Sequence, residues 1–229
     1  MITFFKDLFH IFFPEQCIVC EKSLSEGEYP ICVHCRHDLP LTNFSFEKNN
    51  IVETSFYGRI DLQSATALLY FYKKGNVQKL IHELKYRNNK EIGTFLGNWL
   101  GDDLVQSQRF NNVDCIIPVP LHPKKLKQRG YNQVTRFGES LSYKLQVPFI
   151  EDLLIRKTYA KTQTYKHRED RIQSIEGIFD VIDKERIKNK HILLIDDVIT
   201  TGSTIESCCL VLNQIPSVKI SIATMAYTP

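Results

Sequence analysis

The most constraining stretch of the chain is ILLIDDVITTGST, residues 192–204. Ile192 to Ile195 suit a strand buried on both faces. Asp196 and Asp197 follow at once, and the chain then passes Thr200, Thr201, Gly202, Ser203 and Thr204 into a helix predicted over 203–214. In an open parallel sheet, ligands sit beyond the carboxyl ends of the strands. There the unpaired N–H groups and positive end of a helix attract anions. Gly202 allows a tight bend, and the hydroxyls add donors without bulk. Together these make a cradle for a phosphate. The two carboxylates repel phosphate, so their role is to accept hydrogen bonds from sugar hydroxyls or to hold a divalent cation. A monophosphate beside a ribose diol fits both halves of the stretch. No lysine of the P-loop kind is present, which disfavours an NTPase. The plainer alternative is a strand followed by an N-capped helix, since Ser and Thr are good caps.

The surrounding pattern agrees with such a sheet. Strands are predicted over 64–72, 113–120, within 147–158, over 191–196 and over 218–227. Helices are predicted over 77–87, 91–104 and 132–145, with a short polar helix starting at 168. Alternation of the two across 110–229 predicts an α/β fold with a parallel, doubly wound sheet flanked by helices. Gly93, Gly97 and Gly101 recur at i, i+4 and i+8, a smooth helix face for close packing. Residues 41–62 lack periodicity and read as a linker. The division expected is 1–40 for an N-terminal helix and metal module, 41–110 for a linker, strand and helices packing on the core, and 111–229 for the main domain.

The start of the chain, MITFFKDLFHIFF, is greasy but interrupted by Lys6, Asp7 and His10 and closed by Pro14. It is too short to span a bilayer and lacks the form of a signal peptide, so it reads as a short amphipathic helix. The cytoplasm is then the default compartment, where thiols stay reduced and seven cysteines point to metal binding or burial. Cys17 and Cys20, then Cys32 and Cys35, form two C-x2-C pairs. Two such knuckles supply the four soft ligands of a closed, structural zinc site. Gly27 and Pro30 suit the turn between them. The segment has few large apolar residues, so metal binding would supply much of its stability. Cys115, Cys208 and Cys209 fall in predicted strand and helix and read as core.

Charge is uneven. Residues 121–171 hold 12 Lys/Arg against 5 Asp/Glu, while the whole chain carries only +3. Lys124, Lys125, Lys127 and Arg129 precede Tyr131, and Arg156, Lys157, Lys161, Lys166 and Arg168 interleave with Tyr159 and Tyr165. Cations that track phosphates beside aromatic faces that stack on bases suit single-stranded nucleic acid. A solvated loop with scattered lysines is the alternative.

The stretch 192–204 resembles the phosphoribosyl-pyrophosphate signature of type I phosphoribosyltransferases. With the four-cysteine start, HELKYRNNKEIG at 82–93 and DCIIPVPLHPKKLKQRGYNQ at 114–133, nearly the whole chain resembles the ComF family of competence proteins. The resemblance implies a type I phosphoribosyltransferase-like, amidophosphoribosyltransferase-like sheet with a small N-terminal four-Cys zinc module. It implies that Asp196 and Asp197 bind ribose hydroxyls or Mg, that Thr200, Thr201, Gly202, Ser203 and Thr204 bind the 5′-phosphate, and that Val119, Pro120 and Leu121 form the pyrophosphate loop. It further implies phosphoribosyl pyrophosphate as ligand, with Mg, and a cytoplasmic role in DNA uptake during natural transformation, with single-stranded DNA and a competence helicase as partners. An active phosphoribosyltransferase and a non-catalytic sugar-phosphate-sensing adaptor are the other two readings, and whether the chain turns over a substrate stays open. The sequence departs from the family pattern at Asn88, where glycine is usual, and at Ser174, where asparagine is usual.

Overall fold

The computed structural model describes residues 14–157 and 178–229. The helix expected at the N-terminus lies outside the described residues, as do Tyr159, Lys161, Tyr165, Lys166, Arg168, Ser174 and nearly all of the polar helix expected from 168. In chain order the elements are α1 (Val33–His37), α2 (Ile51–Thr54), β1 (Ser64–Tyr70), α3 (Asn76–Tyr86), α4 (Glu91–Ser107), β2 (Cys115–Pro118) and α5 (Pro123–Arg129). There follow α6 (Thr135–Leu145), β3 (Leu154–Arg156), β4 (Phe179–Val181), β5 (His191–Ile199), α7 (Ser203–Leu212) and β6 (Lys219–Tyr227).

The main sheet runs β1-β6-β5-β2, and every neighbouring pair in it is parallel. Its central strands are nearly continuous apolar runs because helices cover both faces. Leu193 and Ile195 pack with Leu80 and Leu84 of α3, Leu96 of α4 and Phe137 of α6. Ile192 and Leu194, pointing the other way, pack with Cys208 and Leu212 of α7 and with Phe56 just after α2. Side chains of a strand alternate between its faces, so these two clusters are the two filled layers of one sandwich. Cys115, Cys208 and Cys209 are buried in it as the pattern predicts.

The glycine face works as a close contact between helices. A Cβ on Gly97 would sit 2.7 Å from Ser140 Cβ and 2.8 Å from the Phe137 carbonyl oxygen. No larger residue there leaves α4 and α6 at their present separation. The four-cysteine segment joins the same layer: Cys17, Val19, Ile31 and Cys35 share a cluster with α3 and α4. Lys79 Nζ of α3 donates to the Val19 carbonyl at 2.8 Å, and Arg36 lies over the Trp99 ring at 4.8 Å.

Several elements differ from expectation. β5 does not end at the acids but continues through them to Ile199, because β6 runs beside it as far as the Ile199↔Tyr227 pair. The strand within 147–158 shrinks to β3, which leaves the main sheet and pairs antiparallel with β4. The PKKLKQR stretch, for which no element is predicted, is the helix α5, with His122 Nδ1 accepting from Lys124 N, Pro123 in the first turn and left-handed Gly130 at its end. The apparent linker 41–62 contains α2. Asn50 caps it through Val52 N and Glu53 N and reaches across to the Ala65 carbonyl at 2.9 Å. Asn88, in place of the usual glycine, has φ +57°, a left-handed conformation that Asn tolerates better than most residues.

Candidate sugar-phosphate site and four-cysteine cluster

The alternation of β5 sends its two acids to opposite faces of the sheet. Asp197 follows Leu193 and Ile195 to the side of α3 and α6, where it is 6 % exposed. Its Oδ2 accepts from Lys85 Nζ at 2.9 Å and from Gln133 Nε2 at 2.5 Å. Asp196 turns toward α7, and its Oδ1 accepts from Asp197 N at 2.8 Å. Burial, then the nearby Asp197 charge, push the Asp196 carboxyl up to about 8. The pair therefore does not act as two equal ligands. One acid is tied into the protein, and the other meets the crevice with a single backbone partner. With Asp197 Oδ2 already held by an ammonium and an amide, the pair does not fit a divalent cation bound by both carboxylates.

Thr200, Thr201, Ser203 and Thr204 are exposed around buried Gly202, directly before α7. Gly202 has φ +74°, and an added Cβ would lie 2.7 and 2.8 Å from two atoms of the Phe56 ring. The bend thus rests on a fully buried phenyl ring. Thr201 Oγ1 is 3.1 Å from Ser203 Oγ and accepts from Ser203 N at 3.4 Å. Arg59 pairs with Glu206 in the first turn of α7.

The segment after β2 opens beside the same strand end. Val119 N donates to the Ile195 carbonyl at 2.8 Å, so Val119 lies against the residue that precedes the acids. Asn132 Nδ2 holds the Val119 carbonyl at 3.3 Å. Pro120 and Leu121 line a cleft of about 640 Å³ with Leu126, Tyr131 and Arg156. Lys124, Lys125 and Lys127 project from α5 into solvent. Arg129 and Tyr131 are less free. Arg129 lies over the Tyr86 ring at 5.2 Å and donates to Gln133 Oε1 at 2.7 Å. The Tyr131 hydroxyl donates to the Leu84 carbonyl, and Lys90 Nζ caps its ring at 4.7 Å. Sequence reasoning missed Lys85, Gln133 and Phe56. The first two sit inside HELKYR and GYNQ, but nothing in either string names its partner.

At the other end of α3, the Sγ atoms of Cys17, Cys20, Cys32 and Cys35 all lie within 4.8 Å of one another. Cys20 and Cys32 are 3.8 Å apart, about the tetrahedron edge implied by zinc–sulfur bonds of roughly 2.3 Å. Burial raises the Cys17 thiol, but backbone hydrogen bonds at Cys20, Cys32 and Val19 together bring it down to about 6. Burial and the three neighbouring sulfurs push Cys35 up. One thiol favours ionisation and the next resists it, because neighbouring thiolates repel. The donor set fits a structural metal. Among the described residues no helix is long and apolar enough to cross a membrane.

Comparison with known proteins finds one family, two relatives and two solved structures to set beside this chain. The phosphoribosyl transferase domain family matches residues 135–229. Competence protein F of Haemophilus influenzae is 25% identical over 214 residues, which cover 92% of this chain and 89% of that protein. DNA utilization protein YhgH of Escherichia coli K12 is 28% identical over 129 residues, or 55% of this chain, and the match spans only 56% of that relative. Among solved structures, glutamine phosphoribosylpyrophosphate amidotransferase from B. subtilis overlaps with TM-score 0.42 at 16% identity, covering 62% of this chain and 30% of that one. Adenine phosphoribosyltransferase from Saccharomyces cerevisiae overlaps with TM-score 0.38 at 16% identity, covering 62% and 72%.

Proposed function

We propose that this chain, which has a type I phosphoribosyltransferase-like fold and resembles the ComF family, binds phosphoribosyl pyrophosphate or a related sugar phosphate and acts in DNA uptake in the cytoplasm. In this reading Asp196 accepts from the ribose hydroxyls, while Asp197 supports it from the other face. The hydroxyls of Thr200, Thr201, Ser203 and Thr204, with the N–H groups opening α7, take the 5′-phosphate. Val119, Pro120 and Leu121 face the pyrophosphate. Magnesium enters only as the ion that accompanies the diphosphate. Residues 1–40 form the metal module, with zinc on the four cysteines. Residues 41–110 pack on the core, and 111–229 carry the sugar-phosphate domain. Single-stranded DNA runs along Lys124, Lys125 and Lys127 of α5, and a competence helicase is the protein partner.

The observation that supports this most is local. The segment after β2 is hydrogen-bonded to β5 just before its two acids, through Val119 N and the Ile195 carbonyl, and the hydroxyl-lined bend follows directly from the end of β5. The test is thermal unfolding with phosphoribosyl pyrophosphate. Ligand at a hundred times its Kd contributes about 2.7 kcal/mol, roughly a 5–10 °C rise for a chain of this size. Asp196→Ala should lose most of that rise. An equal rise in the variant, or none in the parent protein, refutes sugar-phosphate binding here. Pyrophosphate release, assayed alongside with common bases and with DNA, separates turnover from binding alone.

A further inference from the structure

We propose that Lys85 is a positioning residue of this site: it is the resident counter-cation of Asp197, fixing the buried acid so that the pair works without a metal of its own. The ligand arm of the proposal rests on the sugar-phosphate reading above. The cation arm does not.

An ionised carboxylate that loses water must find a cation or several donors, or its burial destabilises the fold by several kcal/mol. Asp197 meets this demand with one lysine and one amide on the same oxygen. Lys85 stands in the last turn of α3, with its side chain 21% exposed. That turn is itself anchored, because Leu84 is fully buried and its carbonyl receives the Tyr131 hydroxyl. The ammonium is therefore delivered from a fixed stem.

The second partner is oriented with equal economy. Gln133 is 5% exposed. Its Oε1 receives Arg129 Nη1 at 2.7 Å, and a guanidinium is a donor only. The amide oxygen must then face Arg129, which leaves the NH₂ group for Asp197. Arg129 also lies over Tyr86, the residue next to Lys85. The contacts close a ring through α3, β5, the turn before α6 and α5: Lys85 to Asp197, Asp197 to Gln133, Gln133 to Arg129, Arg129 to Tyr86.

Asp196 has no comparable holder. Its hydrogen bond among the described residues is the one from Asp197 N. The two acids thus divide the work, one reading the ligand and the other carrying the first through the shared backbone. A divalent cation on Asp197 Oδ2 would have to expel Lys85, and one on the other oxygen would stand against the same ammonium charge, so Lys85 opposes a metal on this carboxylate.

The deciding experiment titrates Mn²⁺ into the full-length, metal-loaded protein without sugar phosphate, following free Mn²⁺ by electron paramagnetic resonance. The parent protein and Lys85→Arg should take up none at this site. Lys85→Met should gain one equivalent, removed again by Asp197→Asn. In parallel, affinity for phosphoribosyl pyrophosphate should fall on the order of tenfold in Lys85→Met, the scale of a charged hydrogen bond, and be restored in Lys85→Arg. Mn²⁺ uptake by the parent protein that Asp197→Asn abolishes overturns the proposal. So does Lys85→Met that takes up no Mn²⁺, whatever its ligand affinity. If Lys85→Met fails to fold, Lys85→Met with Asp197→Asn removes both charges. Recovery of the fold then supports the proposal, and continued failure overturns it. A parent protein that ignores phosphoribosyl pyrophosphate defeats the sugar-phosphate reading alone, because the Mn²⁺ titration still decides the role of Lys85.

Discussion

Replacing Gly202 with alanine separates two physical demands made at one residue. The first is conformational. With φ at +74°, any L-residue other than glycine pays about 1–2 kcal/mol for the left-handed backbone. The second is steric. The new methyl would stand 2.7 and 2.8 Å from the edge of the Phe56 ring, and Phe56 is fully buried beneath it. A ring with packed neighbours cannot swing aside, so overpacking adds about 1–3 kcal/mol. The expected total is about 2–5 kcal/mol, read as a drop of the urea midpoint at unchanged slope. Phe56→Leu supplies the control. In that background the same glycine substitution should lose the steric part and keep about 1–2 kcal/mol for the backbone. Equal penalties in both backgrounds would refute the clash. A single variant within about 0.5 kcal/mol of the parent protein would refute both demands.

Cys35→Ser, or a strong chelator, should release one equivalent of zinc and expose residues 17–35 to protease, since metal binding contributes on the order of 10 kcal/mol in comparable peptides; unchanged resistance refutes the cluster as a metal site. Changing Lys124, Lys125 and Lys127 together to Gln should flatten the salt dependence of single-stranded DNA binding by about 2 in log–log slope. An unaltered slope returns α5 to a solvated surface. His191 is buried, with Nε2 2.9 Å from Ser221 Oγ, and burial pushes its pKa down. Its contribution to stability is therefore present above the ordinary value of 6.5 and lost as the pH falls through the lower folded value. His191→Gln should flatten the stability profile below pH 6.5, and an unchanged profile would exclude His191 as the cause.

Much of the fold was legible because its signals are local. The apolar runs at 191–196 and 218–227 announce strands covered on both faces, and Leu80, Ile81 and Leu84 announce a helix. The four cysteines were legible because ligand spacing is a one-dimensional property. What escaped depends on three dimensions. The extent of β5 past the acids is set by β6, which the local pattern of small polar residues does not mention. The departure of β3 from the main sheet is set by pairing with β4, more than twenty residues away in sequence. α5 was missed although its caps are written in the chain, because five polar residues in PKKLKQR bury nothing and show no apolar period. At the site, a pair of adjacent aspartates reads as symmetric in a string of letters. Only the pleat shows that they face apart, and only the arrival of Lys85 from α3 and Gln133 from the turn before α6 shows that one is already engaged.

Helix α3 has two tenants. Lys79 near its start grips the Val19 carbonyl between the first pair of cysteines, and Lys85 near its end grips Asp197. Six residues separate them, about 9 Å of helical rise. A rigid rod of that length transmits a tilt at one end to the other with little loss. The Val19 carbonyl beside the cysteines and the buried Asp197 carboxylate are therefore held from one stem, and a tilt of α3 displaces both lysines together.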